Sequence, residues 1–217
     1  MKKNDYDKIA TQYVDTDAKP DKRFSILPTV LSLVGDLNGK VVLDLGCGSG
    51  FFTRALAKTA LKVVGVDDSE QQLQIAERNQ ESNVDYVLAD FMSDELPNAD
   101  FVIAPFVFGY CENVDELKKL FERLYDSLSQ NGKIVGVIDL PTGQNLKKYG
   151  AIKKLNDKID GGKMEISLTD GESMICTLQA TYFTPETIEK LLDHSPLANQ
   201  GTIVLSSDEG QLKEPME

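Results

Sequence analysis

The stretch VVLDLGCGSG at residues 41–50 decides the predicted fold of this chain. Residues 41–45 form a compact and mostly apolar run that ends at a glycine, which is typical of a strand buried in a parallel sheet. The glycines at 46, 48 and 50 let the backbone turn tightly and let a ligand approach the main chain. Residues 51–59 are predicted to be helical, so the stretch predicts a strand, a glycine-rich loop and a helix in succession.

The alternation of strand and helix continues along the chain. Compact apolar runs predict further strands at 62–66, 84–89, 100–104 and 133–140, and helical segments separate them. Strands that alternate with helices pair in parallel through right-handed crossovers. We therefore predict an α/β fold in which a doubly wound, Rossmann-like and mostly parallel sheet carries helices on both faces.

The N-terminal segment falls outside this alternation. The helical spacing of its apolar residues predicts helices over 4–15 and 23–37, and residues 1–38 are expected to form a helical cap. Residues 39–217 are expected to form the core of the fold. In that core Ser69 is predicted to cap a helix, with Gln72 at the capping-box position.

The C-terminal part also departs from the alternation. Apolar runs on both sides of Asp170-Gly171-Glu172 predict a β-hairpin insertion over 163–183. Pro185 is expected in the first turn of a following helix, and 203–205 are predicted to form a last short strand.

The composition suits a single domain and argues against a nucleic-acid partner. A chain of 217 residues with 41% hydrophobic content is sufficient for one core. Lys and Arg number 23 and Asp and Glu number 35, so the net charge is −12, whereas a duplex-binding surface needs a basic face. The one candidate basic patch is predicted to be a solvated helix face. Its members are Lys147, Lys148, Lys153, Lys154 and Lys158.

The sequence also indicates in which compartment of the cell the protein is found. The N-terminal residues have no apolar core of signal-peptide length, and no apolar run approaches the ~20 residues that span a membrane. Cys47, Cys111 and Cys176 are too sparse for a disulfide framework or a metal site, which favours reduced thiols. Cys47 is interpreted as a small residue in a tight loop rather than a reactive thiol. We expect a cytoplasmic protein that holds no metal and does not bind a membrane.

Carboxylates near the strand ends indicate the kind of ligand. Asp67 ends the second predicted strand, where a carboxylate accepts hydrogen bonds from both ribose hydroxyls. Asp44 stands just before the glycine loop, where it would repel a pyrophosphate but suit an ammonium group. A dinucleotide motif needs its third glycine at position 51, which is Phe51 here. The pattern favours S-adenosylmethionine, which has an ammonium, a sulfonium and no phosphate, over NAD.

Four segments resemble the motifs of class I S-adenosylmethionine-dependent methyltransferases. VVLDLGCGSGFFT at 41–53 resembles their motif I, and VVGVDDS at 63–69 resembles their second motif. YVLADF at 86–91 resembles the third motif, and NGKIVGVID at 131–139 resembles the strand that follows. The resemblance implies that the chain transfers the methyl group of S-adenosylmethionine to an N, O or C nucleophile, and it does not identify the substrate.

The resemblance also implies roles for individual residues at the cofactor. Gly46, Cys47 and Gly48 would line its methionine portion. Asp67 would hold the ribose, and Asp90 would accept a hydrogen bond from the adenine amino group.

Three further cofactor contacts follow from the same resemblance. Asp68 and Phe91 would flank the adenine plane. Pro105, just past the fourth strand, would offer its backbone near the ammonium.

A narrower resemblance concerns the cap and the hairpin. DYDKIATQY at 5–13, KKYG at 147–150 and YFTPETIEKLL at 182–192 are similar to small-molecule methyltransferases of the toxoflavin synthase type. It implies that Tyr13 covers the cofactor and that Arg23 meets its carboxylate, although a surface ion pair is an equal alternative for Arg23. The acceptor would then lie under the cap and the hairpin.

The sequence offers weak candidates for catalysis. Tyr110 follows the fourth strand and either faces the substrate or packs, and Asp139 either orients a substrate amine or caps the next turn. His194 is expected at a helix C-terminus, where the dipole favours an imidazolium. No clear general base is present, which favours an acceptor that is already nucleophilic. A cofactor-binding protein without chemistry and a nucleotide-dependent oxidoreductase are the alternatives.

The end of the chain bears on oligomeric state. Residues 207–210 resemble the family's link to a seventh, antiparallel strand, and the sequence ends shortly afterwards. Either that strand is absent or the strands are assigned differently. An unpaired strand edge favours association, so both a monomer and a homodimer are expected possibilities.

Overall fold

The structure, a computed structural model, describes residues 4–141, 145–193 and 201–207. The described residues form six α-helices: Tyr6–Tyr13 (α1), Leu27–Val34 (α2), Phe51–Ala57 (α3), Glu70–Glu77 (α4), Val114–Asp126 (α5) and Pro185–Asp193 (α6). They also form ten β-strands: Val41–Leu45 (β1), Lys62–Asp67 (β2), Val84–Leu88 (β3), Ala99–Pro105 (β4), Leu128–Leu140 (β5), Asn145–Leu146 (β6), Ala151–Leu155 (β7), Gly162–Thr169 (β8), Met174–Tyr182 (β9) and Gly201–Ser207 (β10). The predictions for His194 and for the link beyond Ser207 concern residues outside this described part.

Six of these strands form one parallel sheet in the order β10–β5–β4–β1–β2–β3. The chain runs outward from β1 to β3 on one side and from β4 to β10 on the other, so the strand order reverses between β1 and β4. In an open sheet of this kind, ligands bind beyond the carboxyl ends of the strands at that point. The predicted doubly wound α/β fold is confirmed.

The central strands are buried on both faces, which explains their continuous apolar sequence. Val42 and Ile103 belong to a cluster with residues of α2 and α3 on one face. Leu43 and Val102 belong to a cluster with residues of α5 on the other face. Each buried Val or Leu side chain contributes about 1.5–3 kcal/mol. Helices on both faces therefore hold the edge where β1, β2 and β4 end in a fixed position.

A second, antiparallel sheet has the strand order β6–β7–β8–β9. The predicted hairpin forms its β8 and β9, and β7 extends it by pairing Lys153 with Ile166. The prediction of a solvated helix face at the lysine-rich segment is wrong for this strand. Pairing with β8 overrides its helical propensity, and the side chain of Lys153 is buried.

The cap connects the two sheets above the ligand-binding edge. After α1 comes a 3₁₀ turn at Val14–Ala18, then a π turn at Lys22–Ile26 leads into α2. Asp7 in α1 accepts a hydrogen bond of 2.7 Å from the Ser69 hydroxyl at the start of α4. The Asn4 side chain bonds the backbone of Gln179 in β9 in both directions. None of the described helices is long and apolar enough to cross a membrane.

Candidate active site

Two adjoining cavities lie at the carboxyl edge of the main sheet. The first has a volume of about 260 Å³, and we call it the acidic cavity after its carboxylates: Asp67, Asp68, Asp90 and Glu112. The second has a volume of about 110 Å³, and we call it the lysine chamber after its cations: Lys19, Lys22 and Lys153. The walls that they share consist of Tyr13, Gly46, Gly48, Pro105, Phe106 and Tyr110.

The glycine loop forms the floor of the junction between the cavities. Gly46, Gly48 and Gly50 have φ values of 64°, 54° and 80°, which an L side chain rarely adopts. A Cβ on Gly46 would also lie 3.0 Å from a methyl of Val107. The loop therefore needs glycine for its conformation, and its bare backbone borders both cavities.

Asp67 at the end of β2 lines the acidic cavity and also fixes the glycine loop. Its carboxylate accepts hydrogen bonds from the N–H groups of Gly48 at 2.8 Å and Ser69 at 3.0 Å. Each carboxylate oxygen accepts from one backbone donor, and this fixes the side chain in the wall of the cavity. That orientation suits the predicted contact with ribose hydroxyls.

Asp44 is buried beneath the loop with an incomplete set of partners. It is 1% exposed, and the Thr53 hydroxyl donates a hydrogen bond of 2.5 Å to its Oδ2. Its Oδ1 is buried without a hydrogen-bond partner. Burial raises the pKa of Asp44 to about 7, with the hydrogen bond from Thr53 opposing that rise. A carboxylate held in this way is stabilised by a cation nearby, so the residue fits an ammonium group.

Gln72 is a site residue that the sequence analysis did not assign to the ligand. The Ser69 hydroxyl accepts from the N–H of Gln72 at 3.2 Å, but the N–H of Ser69 donates to Asp67 instead of to Gln72. Half of the predicted capping box therefore forms. The Gln72 carboxamide lies against the acidic cavity, 1% exposed, with its oxygen and nitrogen both unpartnered. Such a group is costly to bury unless a ligand completes its hydrogen bonds.

The far end of the acidic cavity contains the remaining predicted adenosine contacts. Asp68, Asp90 and Phe91 all line this cavity. Asp90 also accepts a hydrogen bond of 2.8 Å from the N–H of Met92, which fixes its orientation. The described lining residues of this cavity include four carboxylates and neither Lys nor Arg. A pyrophosphate would be repelled there, whereas a cation would be attracted.

Three tyrosines stand at or beside the junction. Tyr13 and Tyr110 line both cavities, and Tyr6 lines the acidic one. The hydroxyl groups of Tyr6 and Tyr110 are hydrogen-bonded to each other, and the rings of Tyr6 and Tyr13 meet edge to face at 5.0 Å. Burial raises the pKa of Tyr110 well above its usual range, so its hydroxyl stays protonated near neutral pH. Tyr110 can position groups there but is not a ready base.

The lysine chamber pairs each of its cations with a carboxylate. The Lys19 ammonium is 3.3 Å from Asp21, and the Lys153 ammonium is 3.0 Å from Asp139. Asp139 therefore lies at the site, held by an ion pair that the sequence analysis did not foresee.

Lys22 lies beside the glycine loop, whereas Arg23 does not. The Lys22 ammonium is 2.6 Å from Asp17, which also accepts a bond of 2.6 Å from the Ser49 hydroxyl. It also lies 4.6 Å from the centre of the Phe51 ring. Arg23 is exposed, and its Nε donates to the carbonyl of Asp17 at 2.8 Å. The structure brings Arg23 to neither cavity.

Two further predicted cofactor residues, Cys47 and Pro105, also line the cavities. Cys47 lines the lysine chamber, and burial raises the pKa of its thiol, which favours the interpretation as a small, unreactive residue. Pro105 borders both cavities, and the next residue, Phe106, has a positive φ of 63°. A bulky residue in that conformation stores strain, and here it occurs at the junction.

Comparisons with known proteins indicate which class of protein this chain resembles. Residues 42–132 match the family described as "Methyltransferase domain". An uncharacterized protein of Haemophilus influenzae is 35% identical over 60% of this chain and 54% of its own length. A phosphoethanolamine N-methyltransferase of Triticum aestivum is 34% identical over 49% of this chain and 22% of its own length. The chain thus spans about half, or less, of the length of these curated relatives.

Solved structures share the fold. The SAM-bound amino pentose methyltransferase CalS10 of Micromonospora echinaspora is 17% identical, with a TM-score of 0.60 and coverage of 87% of this chain and 88% of that chain. Residues 42–132 therefore match a methyltransferase domain, and the chain has the fold of the S-adenosylmethionine-bound CalS10 structure. Both matches agree with the family resemblance found in the sequence.

Proposed function

We propose that this protein transfers the methyl group of S-adenosylmethionine to a nucleophilic N, O or C atom of a small molecule bound in the lysine chamber. The observation that carries the proposal is the continuity of the two cavities. One is lined by carboxylates and suits a cationic, phosphate-free cofactor, and the other opens from it at Tyr13 and Tyr110.

The acidic cavity would hold the adenosine part of the cofactor. Asp67 would accept hydrogen bonds from the ribose hydroxyls and Asp90 from the adenine amino group, with Asp68 and Phe91 flanking the adenine plane. Gln72 would complete its hydrogen bonds with the same ligand, because its unpartnered carboxamide lines this cavity. Its carboxamide oxygen lies beside the glycine loop, 3.7 Å from the position that a Cβ on Gly48 would occupy.

The glycine loop would hold the methionine part. Gly46 and Gly48 line the junction and Cys47 lines the lysine chamber beside it. The buried Asp44 beneath the loop would supply the negative charge for the ammonium, directly or through water. We assign the carboxylate of the cofactor to Lys22, because this ammonium borders the loop and Arg23 does not. Pro105 keeps its proposed role of offering backbone near the ammonium.

Catalysis would consist mainly of orientation. S-adenosylmethionine would supply, when bound, a methyl group on a sulfonium, from which the neutral thioether S-adenosylhomocysteine is an excellent leaving group. Tyr13 and Tyr110 at the junction would align the nucleophile with that methyl and exclude water. Asp139 is already paired with Lys153, which favours a positioning role over proton abstraction.

The size and enclosure of the chamber support a small acceptor. Its volume is about 110 Å³, and strands of the second sheet cover it. A net charge of −12 also disfavours a nucleic-acid acceptor. The narrower likeness to toxoflavin synthase-type enzymes, a cytoplasmic location and the choice between monomer and homodimer stay predictions.

The test is methyl transfer itself. The protein is incubated with methyl-labelled S-adenosylmethionine and a small-metabolite extract, and labelled products are separated from the cofactor. We expect a labelled small molecule with the unaltered protein, and a lower yield of it with Asp67→Ala when the cofactor is kept at a limiting concentration. Cofactor binding without any labelled product from broad extracts would instead support a binding protein without chemistry.

A further inference from the structure

We propose that the acceptor carries a carboxylate or phosphate group and that Lys19 and Lys153 bind this oxyanion inside the lysine chamber. The inference rests on the proposed function, because the chamber receives the acceptor only if the acidic cavity receives the cofactor. Carboxylates and phosphates both accept charge-assisted hydrogen bonds from ammonium groups. Titration with one anion of each kind distinguishes between them.

The two lysines are unusual in being nearly buried. Their side chains are 9% and 7% exposed, respectively. Lys seldom occupies such positions without compensating charge. Their partners, Asp21 and Asp139, also line the chamber, so both ion pairs lie in its wall.

Lys19 has hydrogen-bonding capacity to spare. An ammonium has three donors, and its carboxylate neighbour, Asp21, lies at 3.3 Å, which is long for a charged pair. Burial lowers the pKa of Lys19, with Asp21 and Asp139 opposing that fall. An anion bound beside this buried ammonium would stabilise its charged form.

The distribution of charge between the cavities supports the same assignment. Among the described lining residues, all the cations belong to the lysine chamber and none to the acidic cavity. Lys22 adjoins the glycine loop and is assigned to the cofactor, which leaves Lys19 and Lys153 for the acceptor. Neither of these two borders the junction, so they would bind the acceptor away from its reacting atom.

The remaining wall indicates the rest of the acceptor. Ile166, Leu168 and Leu178 of the second sheet line the chamber with apolar side chains. An acceptor with a short apolar body would pack against this wall, with its oxyanion at the lysines and its nucleophile toward Tyr110. Binding the anion first would fix the orientation of the nucleophile.

The experiment uses four small probes that each contain four carbon atoms: butanoate, butyl phosphate, butylamine and 1-butanol. Each is titrated into the full chain saturated with S-adenosylhomocysteine, and binding is followed by chemical-shift changes of the protein. We expect one or both anions to bind at least ~10-fold more tightly than 1-butanol, as for charge-assisted hydrogen bonds. The tighter of the two identifies carboxylate or phosphate as the source. Equal or tighter binding of butylamine or 1-butanol would overturn the inference.

Variants connect the effect to the two lysines. Lys19→Met and Lys153→Met should each weaken binding of the preferred anion by at least ~10-fold, while the affinity for S-adenosylhomocysteine stays unchanged. The matched control is Lys154→Met, since Lys154 lies on the same strand but is 70% exposed and pairs with Glu165. Unchanged anion binding by Lys19→Met and Lys153→Met, or an equal loss by Lys154→Met, would overturn the assignment.

The failures of the two proposals are distinguishable. If S-adenosylhomocysteine does not bind the folded chain, the proposed function fails and the acceptor site fails with it. If S-adenosylhomocysteine binds and the anions show no preference over 1-butanol, only the inference about the acceptor fails.

Discussion

The Asp67 carboxylate accepts a hydrogen bond of 2.8 Å from the backbone N–H of Gly48, and this contact joins the end of β2 to the glycine loop after β1. A single side chain thus shapes the loop and faces the acidic cavity. Both the glycine loop and the acidic cavity depend on Asp67. A substitution of this residue should therefore affect cofactor binding strongly.

Asp67→Ala should raise the dissociation constant for S-adenosylmethionine at least ~10-fold, the loss of one or two good hydrogen bonds. Calorimetric titration measures the constant, and circular dichroism shows whether the fold is retained. Asp85→Ala is the control, because Asp85 is an exposed partner of Lys62 on β3. An unchanged constant in a folded Asp67→Ala protein would refute the ribose role.

Cofactor binding should weaken on acidification through Asp44. Its pKa is about 7 in the free protein, and a nearby ammonium favours the ionised form. Binding therefore releases a proton, and the dissociation constant should rise by up to ~10-fold per pH unit below about pH 7. Titrations with S-adenosylhomocysteine between about pH 7.5 and 5.5 measure this slope. In Asp44→Asn the affinity should be low and the slope absent; a slope that persists there would assign the proton to another group.

Lys22 and Arg23 form a matched pair of neighbours. Lys22→Met should weaken cofactor binding about 10-fold by removing a charged partner of its carboxylate, and Arg23→Met should leave it unchanged. The same titration is run on both proteins. A larger loss with Arg23→Met would restore the role first expected from the sequence.

Gly46→Ala should abolish tight cofactor binding, because the loop needs a positive φ and a Cβ would contact Val107 at 3.0 Å. Gly39→Ala carries the matching backbone strain, at a φ of 72° with open space around it. Each variant should lose about 1–2 kcal/mol of stability. Retained affinity in Gly46→Ala would show that the loop conformation is not essential to the site.

Gln72→Met should change stability and binding in opposite directions. Removing two buried, unpartnered polar atoms should stabilise the free protein by about 1 kcal/mol, while the affinity for the cofactor falls. Thermal unfolding with and without S-adenosylhomocysteine measures both effects. Gln71→Met is the control, since Gln71 is exposed on the same helix. A lower melting temperature for free Gln72→Met would mean that Gln72 already has partners in the free protein.

Much of the fold was predictable because the parallel strands are buried on both faces. Their apolar runs stand out in the sequence, and carboxylates such as Asp67 and Asp90 follow directly at the strand ends. Strand β7 was not predictable in the same way. Its lysines resemble a solvated helix, and pairing with β8 becomes visible only in three dimensions.

The features of the site that were not predicted depend on which way individual side chains point. Arg23 was the predicted partner of the cofactor carboxylate and Lys22 was not considered. Neighbouring residues of a helix point about 100° apart, and in the π turn at Lys22–Ile26 it is Lys22 that lines a cavity. Gln72 had the signature of a capping box, but Asp67 takes the N–H of Ser69 that the box requires. A single sequence does not show whether Asp67 or Gln72 accepts the hydrogen bond from this N–H group.

The central claim is that the acidic cavity binds S-adenosylmethionine. Calorimetric titration of the full chain with S-adenosylmethionine, S-adenosylhomocysteine and NADH tests it most directly. We expect micromolar binding of the first two ligands and no heat from NADH, because four carboxylates line the cavity and would repel a pyrophosphate. Binding of NADH, or a folded protein that binds neither adenosyl compound, would contradict it.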